Sequence, residues 1–329
     1  MATAEQLKAL VRSYAEGDQA QFLSVAMQVA AHAARQGHAR LAQELRSLVD
    51  QVKSREQMVP RRLEPPTPLA QPRGELSGLL SVSYPDTRLN EMVLQPAVRE
   101  RLERVLREQH QGQKLREHGL RPRHRMLLVG PPGSGKTMTA AALAGETQLP
   151  LFTILLDGLI TKFMGETAAK LRLVFDAIRS TRGVYLFDEF DAIGGHRGAS
   201  NDVGEIRRVL NSFLQFLEQD QSDSLIIAAT NHPELLDHAL FRRFDDVVEY
   251  NTPSGELAAR TILAKLGSFS SEDLDWKQLI KSVKGLSYAE LARACNDAIK
   301  EAILDDKSSV TTQGLLRAFD ERRSTRRRS

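Results

Sequence analysis

One run of eight residues, Gly130-Pro131-Pro132-Gly133-Ser134-Gly135-Lys136-Thr137, follows directly on the apolar stretch Met126-Leu127-Leu128-Val129 and constrains the chain more than any other feature. Its glycines let the backbone turn tightly and aim successive N–H groups at one point, which residues with a Cβ cannot do without strain. Lys136 follows as a point charge, and a helix from Lys136 to about Thr147, rich in Ala and Leu, adds its N-terminal partial charge to the same place. A strand, a glycine loop and a helix in this order form a phosphate cradle of the P-loop kind. The expectation is a nucleoside triphosphate bound by Gly130 through Thr137 and the adjoining Met138, with the Thr137 hydroxyl as a ligand of Mg²⁺.

The rest of the sequence places this loop inside a larger design. With 329 residues, 41% of them hydrophobic and 26% charged, the chain can bury a sizeable core and is long enough for more than one domain. Helical periodicity over Leu7, Leu10, Val11 and Tyr14, then Phe22, Val25 and Val29, then Leu41, Leu45, Leu48 and Val52 predicts a three-helix bundle over residues 1–57. A proline- and arginine-rich stretch without periodicity predicts a semi-rigid linker over 58–78. Beyond it, Met126–Val129, Leu151–Leu155, Val184–Phe187, Leu225–Ala229 and Val247–Tyr250 read as strands alternating with helices. That pattern predicts an α/β subdomain over 79–252, a parallel sheet covered by helices on both faces. After Pro253 the pattern is wholly helical, with turn signals at Gly267-Ser268 and Gly285-Leu286-Ser287, and predicts a small helical lid over 253–321. Residues 322–329 read as a basic, solvated tail. Five arginines there account for the net charge of +3, so the body is slightly acidic.

The apolar runs are strand-sized and the N-terminus lacks a leader pattern, so a cytoplasmic protein without membrane contact is expected. The single cysteine, Cys295, falls in a helical pattern and is expected to be a buried structural thiol. No protease motif or metal-ligating constellation stands out, and His196 reads as solvated.

Val184-Tyr185-Leu186-Phe187 ends in two carboxylates, Asp188 and Glu189. A strand that is apolar throughout is buried on both faces, and its carboxyl end opens at the crevice where open α/β sheets bind ligands. Asp188 there would hold the Mg²⁺ shell, largely through water, and Glu189 would act as general base on the attacking water. The strand Leu225–Ala229 ends at Thr230-Asn231, an amide able to donate to and accept from the same water.

Taken together, these segments resemble the AAA subgroup of the AAA+ ATPases over roughly residues 85 to 320. Phe187 to Gly195 is similar to the family's Walker B region, and Leu225 to Asn231 to the strand that ends in its sensor-1 asparagine. The run Leu236-Asp237-His238-Ala239-Leu240-Phe241-Arg242-Arg243-Phe244-Asp245 resembles the arginine-finger segment. The resemblance implies that Arg242 and Arg243 act on the ATP of a neighbouring subunit, within a hexameric ring. The residues that commonly separate the two arginines are missing, which leaves open which of them is the principal finger. The alternative is a surface pair bound to Asp245 and Asp246.

Leu159 to Thr167 resembles the first pore loop of protein-translocating members. Lys162, Phe163, Met164 and Gly165 would there grip a polypeptide by apolar contact in a mobile loop, and Gly194 to Val203 would be a second channel loop. Two further segments match the nucleotide site: Met92 and Val93 where the family forms its adenine pocket, and Gly285-Leu286-Ser287-Tyr288-Ala289, in which Ala289 would touch nucleotide and Tyr288 replaces a glycine. Nothing resembles the Asn-Lys-x-Asp signature of GTP-binding proteins, so ATP with Mg²⁺ is the expected ligand.

The leading reading is an ATP-driven protein unfoldase or remodeller. The competing class is a DNA-associated AAA+ protein such as a replication or transposition helper, for which the body lacks a basic face and only the arginine tail offers contact. A scaffold that uses ATP to assemble without hydrolysis is disfavoured by Glu189 and the arginines. One AAA module behind a short helical bundle is also similar to bacterial AAA ATPases encoded beside a subtilisin-like serine protease, in modules proposed to act against phages or foreign plasmids. That resemblance implies a serine protease as partner.

Overall fold

A computed structural model describes residues 74–159, 164–191, 202–236 and 238–326, together with 29, 30, 43 and 72. The chain divides into two compact units at Thr67 and Pro68, and everything below concerns the second. The helical bundle expected over 1–57 and most of the linker expected over 58–78 lie outside the described residues.

Six strands form one sheet: β1 (Leu80–Ser83), β2 (Arg125–Val129), β3 (Leu151–Ile154), β4 (Val184–Phe187), β5 (Leu225–Thr230) and β6 (Asp246–Glu249). The helices, in chain order, are α1 (Pro96–His110), α2 (Gly112–Glu117), α3 (Lys136–Thr147), α4 (Leu156–Leu159), α5 (Met164–Ser180), α6 (Asp202–Gln219), α7 (His238–Phe241), α8 (Gly255–Leu266), α9 (Trp276–Ser282), α10 (Tyr288–Leu304) and α11 (Thr312–Arg326).

The strand order is β1-β3-β4-β5-β2-β6. β2 through β6 run parallel, and β1 pairs antiparallel with β3 at the edge, Leu80 opposite Ile154 and Ser83 opposite Leu151. The parallel sheet expected from the sequence is thus present, with one antiparallel strand added at its edge. The five strands read from the sequence are all present, to within a residue at their ends.

Successive side chains on a strand point to opposite faces, and both faces here are covered. Leu127, Tyr185, Phe187 and Ile226 pack with Val174, Phe175 and Ile178 of α5 and Phe213 and Leu217 of α6. Met126, Leu128, Leu186 and Ile227 pack on the other side with Leu102 and Val105 of α1 and Ala140 and Leu143 of α3. This is why β4 and β5 are buried at every residue. Helices α8 to α11 bury a separate core of Ile262, Leu279, Leu291, Cys295, Leu315 and Phe319. Burial pushes the Cys295 thiol up to about 12, so it stays protonated and inert.

Two segments differ from the sequence reading. Gly74–Gly78, inside the stretch read as linker, forms a 3₁₀ turn whose Leu76 packs on the first core. The arginine-rich end is helical through Arg326: the Arg322 guanidinium pairs with Asp297, and Arg323 donates to the Ser282 carbonyl at 2.7 Å. These two arginines are structural residues, not part of a solvated tail.

The C-terminal turn of α3 seats the segment that leads into the site. Arg88 donates to the Gly145 carbonyl at 2.6 Å and the Leu89 amide to Glu146 at 3.0 Å. A Cβ on Gly145 would lie 2.1 Å from the Thr87 carbonyl oxygen. Alanine in place of a helical glycine ordinarily stabilises by about 0.5–1 kcal/mol. Here Gly145→Ala is expected to destabilise by about 1–3 kcal/mol, because backbone has to move to admit the methyl group. Thermal unfolding of the variant measures this, and a raised midpoint would contradict it.

Candidate active site

The P-loop spans the carboxyl end of β2 and the start of α3, and its geometry needs its glycines. Gly133 and Gly135 sit at φ +71° and +104°, backbone that an L side chain rarely adopts. A Cβ on Gly133 would also meet the Ser287 hydroxyl at 2.8 Å. The close approach has a purpose: the Ala289 N–H at the start of α10 donates to the Gly133 carbonyl at 3.1 Å. Ser287 caps α10 in a reciprocal box with Glu290, which fixes this helix end against the loop.

Lys136 is 6% exposed. Its ammonium donates to the Gly130 carbonyl at 2.7 Å, the Pro131 carbonyl at 3.0 Å and the Asn231 side-chain oxygen at 2.8 Å. Burial lowers its pKa, while the negative charges of Asp188 and Asp191 work the other way. Thr137 donates its hydroxyl to Asp188 at 2.7 Å, which brings together the two residues expected to serve Mg²⁺. The donor set suits that ion: hard oxygens, too few to enclose a metal, as for a Mg²⁺ that keeps waters and takes phosphate oxygens. Among the described residues no group of three or more His, Cys, Asp or Glu side chains could hold a metal by itself.

Glu189, the residue after Asp188, has φ +50°, a left-handed conformation that costs a non-glycine residue roughly 1–2 kcal/mol. Its amide donates to the Asp188 carboxylate at 3.0 Å, and no described hydrogen bond occupies its own carboxylate. Such strain concentrates where a side chain has to be aimed. Asp188, Glu189, Asn231 and Pro132 to Met138 line one cavity of about 430 Å³, whereas Gly130 and Pro131 do not line it.

Glu91, Met92 and Val93 also border that cavity, and α8 and α10 contribute Thr261, Ala264, Lys265, Ala289 and Ala292 to it. Arg99 takes the Met92 carbonyl at 3.0 Å. The amide and carbonyl of Val93 carry no hydrogen bond among the described residues, so both are available to a ligand.

The family model described as "ATPase family associated with various cellular activities (AAA)" matches residues 126–252. An AAA family ATPase of Sinorhizobium fredii, y4kL, is 34% identical over 321 residues, 98% of this chain and 96% of that one. The chain belongs to the AAA family of ATPases. Its chemistry is ATP hydrolysis. The ATP-dependent zinc metalloprotease FtsH 1 of Methylacidiphilum infernorum is 38% identical over 207 residues, 60% of this AAA ATPase and 32% of the metalloprotease. The proteasome-activating nucleotidase of Methanoculleus marisnigri is 32% identical over 238 residues, 69% of this chain and 57% of the nucleotidase. This AAA ATPase thus spans about a third of the first and rather more than half of the second.

Other expected site residues fall elsewhere in the fold. Arg242 and Arg243 follow α7, are exposed, and do not line the cavity. Arg243 pairs with Glu218 at the end of α6, whereas Arg242 makes no hydrogen bond or ion pair among the described residues. The anticipated pairing with Asp245 and Asp246 is not found. Asp245 accepts from the His124 and Arg125 amides at 2.9 and 3.0 Å, and Asp246 pairs with Arg101 at 3.0 Å. Lys162 and Phe163 lie outside the described residues, while Met164 and Gly165 open helix α5 and are not loop residues. The second channel loop, Gly194 to Val203, lies outside them as well except for Asp202 and Val203, which begin α6.

Asp191 is a residue beside the site that the sequence reading passed over. It accepts from the Thr230 hydroxyl at 2.9 Å and from the Asn231 backbone N–H at 3.2 Å, and so holds the strand end whose Asn231 side chain meets Lys136. Its place one helical turn after Asp188-Glu189 was visible in the sequence, but its partners are some forty residues away in the chain. No helix among the described residues is long and apolar enough to cross a membrane.

Proposed function

We propose that this AAA ATPase is a ring-forming motor of the cytoplasm that unfolds or remodels polypeptides drawn through a central channel. The observation that carries the reading is the position of Arg242: exposed, unpaired among the described residues and outside the cavity that gathers the rest of the chemistry. A guanidinium so placed serves a phosphate held by another copy. Contacts of that head-to-tail kind close into rings, here a hexamer.

Within one subunit, Lys136 and the P-loop amides hold the β- and γ-phosphates, and Val93 with Met92 takes the adenine end. Thr137 and Asp188 hold Mg²⁺ largely through water, and the ion when bound offsets phosphate charge. Glu189 accepts the proton of the attacking water, and Asn231, whose backbone Asp191 holds, orients that water. Helices α8 to α11 act as a lid, since Ala289 ties α10 to the P-loop and α8 lines the same cavity.

Relatives named for ATP-dependent proteolysis and for proteasome activation support a polypeptide as substrate. The module arrangement points to a separate serine protease as partner, in a defence role against invading DNA. The DNA-associated alternative loses support because Arg322 and Arg323 are engaged within the fold.

Unfolding of a fluorescent protein carrying an unstructured tail tests the reading. Phe163→Ala is expected to abolish ATP-driven loss of fluorescence while the basal ATPase rate holds. A variant that unfolds the substrate as fast as the parent protein would sink the pore-loop assignment, and loss of basal hydrolysis would move Phe163 to folding or assembly.

A further inference from the structure

Tyr288 is not used by any of the roles above. It is the first residue of α10, next to the Ala289 amide that bonds the P-loop, and it is half-buried. It borders the 430 Å³ cavity along with Met92, Val93 and Gly133. It also borders a second, much smaller cavity, shared with Val93, Ser134 and Tyr250. Tyr288 therefore shares cavity walls with both the Met92–Val93 segment and the P-loop.

Its hydroxyl makes no hydrogen bond among the described residues. It is not among the buried polar atoms that lack a partner, so it is open to water or to a ligand. Burial raises its pKa, so the phenol remains a proton donor through neutral pH. The neighbouring buried tyrosine shows the contrast: Tyr250 shares a 2.6 Å hydrogen bond with Thr139.

We propose that Tyr288 is a nucleoside-binding residue, its ring packing on the base and ribose end of ATP and its hydroxyl donating to that end of the ligand. The inference rests on the reading of the cavity as the nucleotide site. An aromatic face gives a purine more apolar contact than Ala264, Ala289 or Ala292 of the same cavity can.

Titration calorimetry of the full chain with Mg²⁺-ATP and, separately, with inorganic tripolyphosphate tests this. Tyr288→Leu, which keeps bulk and loses the ring, is expected to weaken ATP about tenfold, within the range of base–aromatic stacking, and to leave tripolyphosphate unchanged. Tyr288→Phe isolates the hydroxyl and is expected to fall between the two. ATP affinity within about twofold of the parent in Tyr288→Leu would overturn the proposal. So would an equal loss for both ligands, which would make Tyr288 a brace between lid and P-loop. Failure of the parent protein to bind ATP would instead reject the nucleotide site itself, a result distinct from either.

Discussion

Glu189→Gln protein is expected to bind ATP as the parent does and to hydrolyse it between about a hundredfold and ten-thousandfold more slowly, the range of a lost general base. Three features of the site lead there. Glu189 lines the cavity, its carboxylate is not spent on any described hydrogen bond, and its backbone is held at φ +50°. Glutamine keeps the size and the backbone demand and removes only the ability to take a proton. Affinity should survive, because Lys136, Thr137 and Asp188 do not bond Glu189's side chain. Single-turnover hydrolysis beside a binding titration separates the two effects. A variant that hydrolyses ATP at the parent rate would remove Glu189 from the chemistry.

The second large effect belongs to Arg242. Arg242→Ala is expected to cut turnover about a thousandfold or more, the scale of an arginine supplied to a phosphoryl transfer, with little change in affinity for ATP. Arg243→Ala is expected to do much less. Its guanidinium is already paired with Glu218, and an exposed pair of this kind contributes about 0–1 kcal/mol to stability. That contrast would identify the principal finger, which adjacent arginines in a sequence cannot reveal. Mixing then tests action between subunits. Arg242→Ala and Glu189→Gln proteins are each expected to turn over slowly alone, but an equal mixture should recover activity at about one junction in four, where one lends its arginine and the other its carboxylate. No recovery on mixing would place the arginine in its own subunit's site. A deeper loss in Arg243→Ala than in Arg242→Ala would mean that Arg243 leaves Glu218 when subunits meet.

What could be read from the sequence follows the range of the forces involved. The P-loop and the strands β2 to β6 are legible because their signals are local: glycines at fixed spacing, and apolar runs whose residues are buried on both faces. β1 was missed because Leu80-Ser81-Val82-Ser83 is short, half polar and partly exposed, and gains its strand character only by pairing with β3. The arginine tail was misjudged for a similar reason. Composition suggests solvation, but Asp297 and the Ser282 carbonyl, distant in sequence, supply the partners that make Arg322 and Arg323 structural. In the site, residue types were readable and relationships were not. That Lys136 meets Asn231, that Asp191 holds the Asn231 backbone, and that Tyr288 lines the same cavity depend on contacts across the sheet and between core and lid.

Mass measurement of purified Glu189→Gln protein, with and without ATP and Mg²⁺, tests the central claim most directly. Unfolded polypeptide and single-stranded DNA are added in separate samples. The expected result is a single chain without nucleotide and a closed ring with it, which retains the polypeptide and not the DNA. A protein that stays a single chain under every condition, or that assembles only on DNA, would contradict the account of a protein-threading motor.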